Sequence, residues 1–344
     1  MIRFAASGRR SFLTGIAGSV AVAVLDGAPA GLAYEADRRF FRLGTGGIAG
    51  TYFPIGSIIC DALNDDPPGT SCAEPPCNLG GRHAVAQLSN GSVSNFEAIR
   101  AGFNDAALMQ ADVLYTGWKG TGSFTAKGPY DGVRLVANLF PESFHLAVRR
   151  DGDIRTFRDI VGHRVALDEP NSGTIVLARV LLAAYGIKES DLRAEYRKWE
   201  GADARVDLGP LDGVMQVSGD PVASISLLAA HNAIRLVPIA GPGADAALLD
   251  YPFITAAVIT EGTYPGIPET PTIHVQAQLA VATSLPDDHV YNLTRRLWSE
   301  KTLAQLRLGH PRGASIALAT ALTGAAVPLH PGAQRYYQEI GLIR

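Results

Sequence analysis

Apolar positions along this chain alternate between two periods. Phe40–Leu43 is a short apolar run of strand length. From Tyr52 to Asn64, residues Ile55, Ile58, Ile59, Ala62 and Leu63 recur at helical spacing. Pro54 is tolerated in the first turn of that helix, and Asp65-Asp66-Pro67-Pro68 ends it. Ala84–Leu88 predicts a strand. Ser94 and Glu97 form a capping-box pattern ahead of Ile99, and Gly102 closes that short helix. Asp105–Gln110 and Arg134–Leu139 predict strands. A second series follows with the same rhythm. His145–Val148 is a strand, Thr156 and Asp159 open a short helix ending at Gly162, and His163–Leu167 is a strand. Ser172-Gly173-Thr174 leads into a helix with Ile175, Ala178, Leu181, Leu182 and Tyr185 inward and Gly186 at its end. Leu211–Val217, Leu236–Ile239 and Gln278–Ala282 predict strands, and Pro221–Ala230 a helix. One long helix is expected from Pro286 to Leu308, with Val290, Leu293, Leu297, Ala304 and Leu308 inward, and a last one from Gly332 to Ile340.

Alternating strands and helices predict an α/β fold with mostly parallel sheets. Two series, joined near 139–142 and again near 270–279, predict two lobes with a hinge. The expected limits are 34–140 for lobe 1, 141–280 for lobe 2, and 281–344 for a segment returning to lobe 1.

Composition agrees with a folded chain: 47% of the 344 residues are apolar and 18% charged. The net charge is −3 and no dense basic run occurs, so no nucleic-acid partner is expected. Residues 1–33 read as a signal peptide. Arg3, Arg9 and Arg10 precede an apolar stretch from Leu13 to Leu25, and cleavage is expected near Ala30 or Ala33. Arg9-Arg10-Ser11-Phe12-Leu13-Thr14 resembles a twin-arginine signal, with an ordinary Sec signal as the alternative. The remaining chain carries 27 basic and 32 acidic residues, or −5, and is expected in the periplasm. In that oxidising compartment a local Cys72–Cys77 disulfide is expected, with Cys60 a buried thiol. Two cysteines make half a zinc site, and no histidine spacing completes it, so no metal is expected.

The chemistry lies in three glycine-bearing helix starts. Thr45-Gly46-Gly47 through Thr51-Tyr52 is the first, Gly91-Ser92-Val93 with Asn95 the second, and Ser172-Gly173-Thr174 the third. Each offers backbone N–H donors at the positive end of a helix dipole, a site for an anion. In α/β sheets such loops lie at the carboxyl ends of strands, where ligands bind. Two starts in lobe 1 and one in lobe 2 could close on a carboxylate from both sides. Tyr52 is expected to stack on or bond the ligand, or to pack. Asn95 is expected to reach the ligand, with helix capping the alternative. Gln110 and Asp112 lie at a strand end, where Asp112 meets a ligand ammonium or caps its helix. Glu142 and His145 read as structural hinge residues, and Arg149, Arg150 and Arg155 as solvated charge.

A competing reading takes Gly44–Gly50 as a dinucleotide loop in an exported nicotinamide-dependent oxidoreductase. The second gap is one residue too long, and Asp61 falls inside the predicted helix. No Gly-x-Ser-x-Gly elbow is present and Ser92 has no base near it in sequence, so an enzyme is not expected. No cofactor is expected either.

Taken in order, these residues resemble the TAXI family of TRAP transporter solute receptors. The resemblance rests on Gly44-Thr45-Gly46-Gly47 with Gly50-Thr51-Tyr52 and Pro54, then Gly91-Ser92-Val93 with Asn95. Gln110-Ala111-Asp112 with Tyr115, Leu139-Phe140-Pro141-Glu142 with His145, and Pro170–Thr174 continue it. Leu211-Asp212-Gly213, Gly219-Asp220-Pro221 and Thr263-Tyr264-Pro265-Gly266 complete it over about 40–342. Asn171 stands where the family has glycine, and Met215-Gln216 where it is more aromatic. The resemblance implies a type II periplasmic binding protein. Such a receptor, expected as a monomer, binds a small organic acid or glutamate-like amino acid between its lobes and delivers it to a TRAP membrane permease. A ligand-presenting subunit of a membrane sensor would share the same fold and site.

Overall fold

A computed structural model describes residues 40–65, 78–198 and 207–344. The expected signal peptide and the Cys72–Cys77 pair lie outside the described residues. Among those described, Cys60 is a buried free thiol.

Ten strands of the described residues form one mixed sheet: β1 Phe40–Gly44, β2 His83–Gln87, β3 Ala106–Gln110, β4 Val133–Arg149, β5 Arg164–Ala166, β6 Arg193–Glu195, β7 Gly213–Ser218, β8 Ile234–Leu236, β9 Ile254–Ile259 and β10 Thr270–Ala282. The order is β2-β1-β3-β10-β4-β7-β5-β6, with β9 paired to β10 and β8 to β4. The nine α-helices of the described residues are α1 Tyr52–Asn64, α2 Ser92–Arg100, α3 Ala111–Lys119, α4 Gly173–Ala184, α5 Ala223–Ala230, α6 Pro242–Asp250, α7 Asp287–Leu297, α8 Glu300–Gly309 and α9 Pro331–Glu339.

The two long strands decide the architecture. β4 runs for 17 residues and β10 for 13, antiparallel to each other. β10 pairs with β3 through Ala277–Val281, and with β9 through Thr270–Val275. β4 pairs with β7 through Ser143–Val148. Each strand therefore leaves one half of the sheet and enters the other near Pro141–Ser143 and His274–Gln276. The β4–β10 register shifts between Ala277 and Gln278, beside the crossing. A bulge at that place adds local twist. The result is two α/β lobes joined by two continuous strands. Among the described strands, parallel ladders join β1 to β2 and β3, and β5 to β6 and β7. The mostly parallel sheet expected from sequence is thus antiparallel at its centre, because both crossing strands run through it.

Each lobe has its own apolar interior. Phe41, Leu43, Ile55, Val136 and Leu279 pack with Val290, Leu297, Leu306 and Tyr337, so the last three helices close the first lobe. Phe144, Phe157, Leu181, Tyr185, Val217 and Ile273 form a core in the second. The expected long helix from Pro286 is broken into α7 and α8. The Ser299 hydroxyl caps α8 by accepting from the Thr302 amide at 3.2 Å, and the Trp298 indole donates to the Tyr337 hydroxyl at 2.9 Å. The capping box expected at Ser94 is absent. α2 begins at Ser92 after Gly91, and the Ser94 amide donates to the Asn171 carbonyl of the other lobe at 3.0 Å.

Candidate functional site

The starts of α1, α2 and α4 face one another across a cleft between the lobes, around a space of about 100 Å³. Gly46, Gly47, Thr51, Tyr52, Gly91, Ser92, Gln110, Ser172, Gly173 and Thr174 line it. Thr45, Val93, Asn95 and Asp112 do not.

The first turn is held from below. The Thr45 hydroxyl donates to the Gln87 carbonyl at 2.6 Å. The Asn95 amide donates to the carbonyls of Thr45 and Leu108 at 2.6 and 2.7 Å. Fully buried, Asn95 braces the turn from below and stands outside the cleft lining. Val93 is likewise a core residue, packed with Phe96 and Met109. Thr51 ends the turn with its hydroxyl across the cleft, 3.0 Å from the Ser218 hydroxyl and donating to the Gly219 carbonyl at 3.1 Å.

In the second turn Gly91 takes φ +111°, a conformation that L side chains rarely adopt. The Ser92 hydroxyl accepts from the Gln110 amide at 3.1 Å. In the third, the Ser172 hydroxyl caps α4 by accepting from Ile175 at 3.1 Å, and the Thr174 hydroxyl accepts from Val217 at 3.1 Å. All three oxygens therefore accept a backbone bond; the Ser172 and Thr174 hydroxyls bear on the Asp168 carboxyl and the Ser92 hydroxyl on the Tyr52 phenol. Gly173 passes close to Gln110: a Cβ there would stand 2.5 Å from its side-chain carbon.

The electrostatics come from one residue assigned to the hinge and from two that the sequence does not single out. Glu142, read as a hinge residue, is at the hinge and also in the cleft wall, only 2% exposed. The Tyr52 phenol donates to its carboxylate at 2.6 Å. Burial pushes the Glu142 carboxyl up to about 8, the nearby Asp112 charge adds to the rise, and the Tyr52 bond and Arg312 oppose it. Asp168, also in the cleft, is raised by burial, against the pull of its own loop amide, Lys198 and the Thr174 and Ser172 hydroxyls. Lys198 brings a cation to the cleft wall and lies 3.8 Å from Glu169. None of Glu142, Asp168 and Lys198 stands in a glycine turn or has a spacing signal. Their role follows from where distant segments meet.

Asp112 lies in the first turn of α3, 6% exposed, and neither carboxylate oxygen has a hydrogen-bond partner. Burial lifts it to about 7, while its own and Val113's amides favour the anion without forming a well-aligned bond. His145 is structural. Burial pushes it down to about 4, so it is neutral at ordinary pH. The Tyr264 hydroxyl accepts from the Val222 amide at 2.9 Å and donates to His145 Nε2 at 2.8 Å.

The nucleotide reading finds no second strand end carrying an acid. Asp61 is an exposed residue of α1, and β2 ends at Gln87. Among the described residues no group of three His, Cys, Asp or Glu side chains is placed to hold a metal ion. No helix there is long and apolar enough to cross a membrane.

Fold and cleft together define a two-lobed α/β protein with its candidate site at the lobe junction. The chain belongs to the NMT1-like family, whose profile matches residues 43–341. Among solved structures it is similar to the alkanesulfonate-binding protein SsuA from Xanthomonas axonopodis pv. citri bound to MOPS. That pair is 15% identical over 87% of this chain and 83% of that one, with a TM-score of 0.44. The binding protein component of an ABC phosphonate transporter from Pseudomonas aeruginosa is 12% identical over 78% of each chain, TM-score 0.48. The ligand-binding component of an ABC-type import system from Staphylococcus aureus, with zinc bound, is 10% identical over 89% of this chain and 93% of that one, TM-score 0.47.

Proposed function

We propose that this protein is an exported solute receptor, not an enzyme. Its two lobes, about 34–140 with 281–344 and 141–280, close over a small amino acid or related acid, which it hands to a membrane permease of the TRAP type. The observation that carries the reading is the meeting of three amide-bearing helix starts with a buried carboxyl, Glu142, in one small cleft. A carboxylate suits the donors at Gly46-Gly47, Gly91-Ser92 and Ser172-Gly173-Thr174, each helix start contributing about 0.3–1 kcal/mol. Glu142 suits an ammonium group on the same ligand. Asp168 beside the third turn disfavours a second anionic group there and so favours a zwitterion over a dicarboxylate lacking an amine. The TAXI assignment rests on the ordered motifs of the sequence, and export on residues 1–33.

Closure has a structural counterpart. Thr51 meets Ser218 and Gly219, Ser94 meets Asn171, and Arg312 pairs with Asp220. A ligand shifts the open–closed balance only by its greater affinity for the closed form. Thermal-shift and calorimetric screening of amino acids beside matched acids without the amine tests the ligand class. Binding of the acids alone would refute the role given to Glu142, and binding of neither would refute the receptor reading. Uptake of the bound solute by vesicles carrying a TRAP permease, dependent on added receptor, tests the partner.

A further inference from the structure

Gln216 and Ser224 line the cleft beside the three turns, on β7 and in the first turn of α5. Side chains alternate along β7. Met215 and Val217 enter the core of the second lobe. On the other face, Val214 packs with Ile225 and Leu228 of α5, and the Ser218 hydroxyl stands 3.0 Å from that of Thr51 in the cleft. Gln216 lies between them on that face and is half-buried. The face is thus covered by α5 at Val214 and opens on the cleft at Gln216 and Ser218.

Both elements are held from behind by one phenol. The Tyr264 hydroxyl accepts from the Val222 amide at the start of α5 and donates to His145 Nε2. His145 is neutral, so its proton is on Nδ1, which donates to the Gln216 carbonyl at 3.3 Å. The Ser224 hydroxyl donates to the Gln216 side-chain oxygen at 3.4 Å. The side-chain nitrogen has no hydrogen-bond partner among the described residues, and it is not sealed from solvent. Its N–H groups are therefore unmet donors, costly to leave so once a solute displaces water from the cleft.

The acceptor they call for is a neutral one. Lys198, the cation of this wall, lies 3.8 Å from Glu169 and also acts on Asp168. Two acids answer one cation, so an anionic side chain is disfavoured here. The space of about 100 Å³ is well under the roughly 300 Å³ at which drug-sized pockets begin, which sets aside long side chains.

We propose that Gln216 reads the side chain of the solute, and that the cleft selects a short amino acid bearing a hydroxyl whose oxygen accepts from the Gln216 amide. This rests on the receptor reading above and narrows it. A site built to hydrogen-bond a hydroxyl rejects the isostere that lacks one, because its own polar group is then left unpaired.

The test titrates the whole protein by calorimetry with L-threonine, its isostere L-valine, and L-glutamate. Threonine is expected to bind about tenfold or more tightly than valine, and glutamate more weakly than threonine. Gln216→Met keeps the length of the side chain without its amide and is expected to bind threonine and valine alike. Ser224→Ala leaves the amide in place without its support and is expected to narrow the preference about threefold or more. Thermal melting without solute checks that each variant folds, and Ser224→Ala carries the test if Gln216→Met does not. The proposal is overturned if wild type binds valine as tightly as threonine, if it prefers glutamate, if Gln216→Met keeps the preference, or if none of the three binds. The receptor reading survives each of these results, and falls as well only if a wider screen of amino acids and acids also finds no solute.

Discussion

Replacing Glu142 by glutamine separates the cost of its buried charge from everything else the residue does. The carboxyl moves from 4.5 in the unfolded chain to about 8 in the folded one, chiefly through burial. Carrying a carboxyl over that range corresponds to roughly 4–5 kcal/mol, at about 1.36 kcal/mol per tenfold change. Because the folded value is raised, the folded state binds more protons between the two values, and stability falls as pH rises. The contribution is complete below about 4.5 and lost as pH climbs through about 8. Glu142→Gln keeps an acceptor for the Tyr52 phenol and cannot ionise. Its stability relative to wild type should therefore be near neutral at pH 5 and rise by a few kcal/mol at pH 9. For a chain of this size that is several degrees in Tm, at about 2 °C per kcal/mol. Urea and thermal unfolding of both proteins from pH 5 to 9 measure it. Asp112, lifted to about 7, adds a smaller slope of the same sign, and because its charge acts on Glu142 part of that slope stays in the difference. A pH-independent difference would refute the assignment of a buried, strained charge to this carboxyl. The same variant should lose affinity for ammonium-bearing solutes while proton release on binding disappears, which calorimetry in buffers of different ionisation heat reports.

Ser172→Ala with Thr174→Ala should weaken solute binding about tenfold or more, and because each oxygen also accepts a backbone N–H it should cost the free protein roughly 1–2 kcal/mol; unchanged affinity in isothermal titration would remove the third turn from the site. Gly173→Ala places a methyl group 2.5 Å from the Gln110 side chain, a contact made across the proposed lobe boundary. Its free form should therefore melt near wild type while solute affinity falls and small-angle scattering in solute shows a larger radius; tight binding with normal compaction would sink this account of closure.

Much of the local structure was legible because its causes are local. Helical spacing marks α1 and α4, and a Ser172 cap with an apolar stripe requires nothing distant. The Thr156–Asp159 capping box forms as its residues dictate. Where a backbone group found a remote partner, local reading failed. The pattern makes Ser94 a cap, yet its amide crosses to Asn171 and the cap is Gly91, three residues earlier. The joint expected after Leu139 is no break at all. β4 runs straight through it, because β10 on one side and β7 beyond supply its hydrogen bonds.

Within the cleft the division is sharper. Glycines and small hydroxyls advertise a helix start from sequence alone, because only a few residue types suit a tight turn with free amides. Nothing in the chain's order marks Glu142, Asp168 or Lys198 as neighbours of those turns, or Asp112 as a buried carboxyl without a hydrogen-bond partner. Charge acquires its meaning from the solvent it loses and the groups it faces, and those are decided when β4 and β10 bring the two lobes together. The one-dimensional pattern therefore determined the elements and the amide-bearing turns. Burial, pairing and the electrostatic character of the site were left to the folded arrangement.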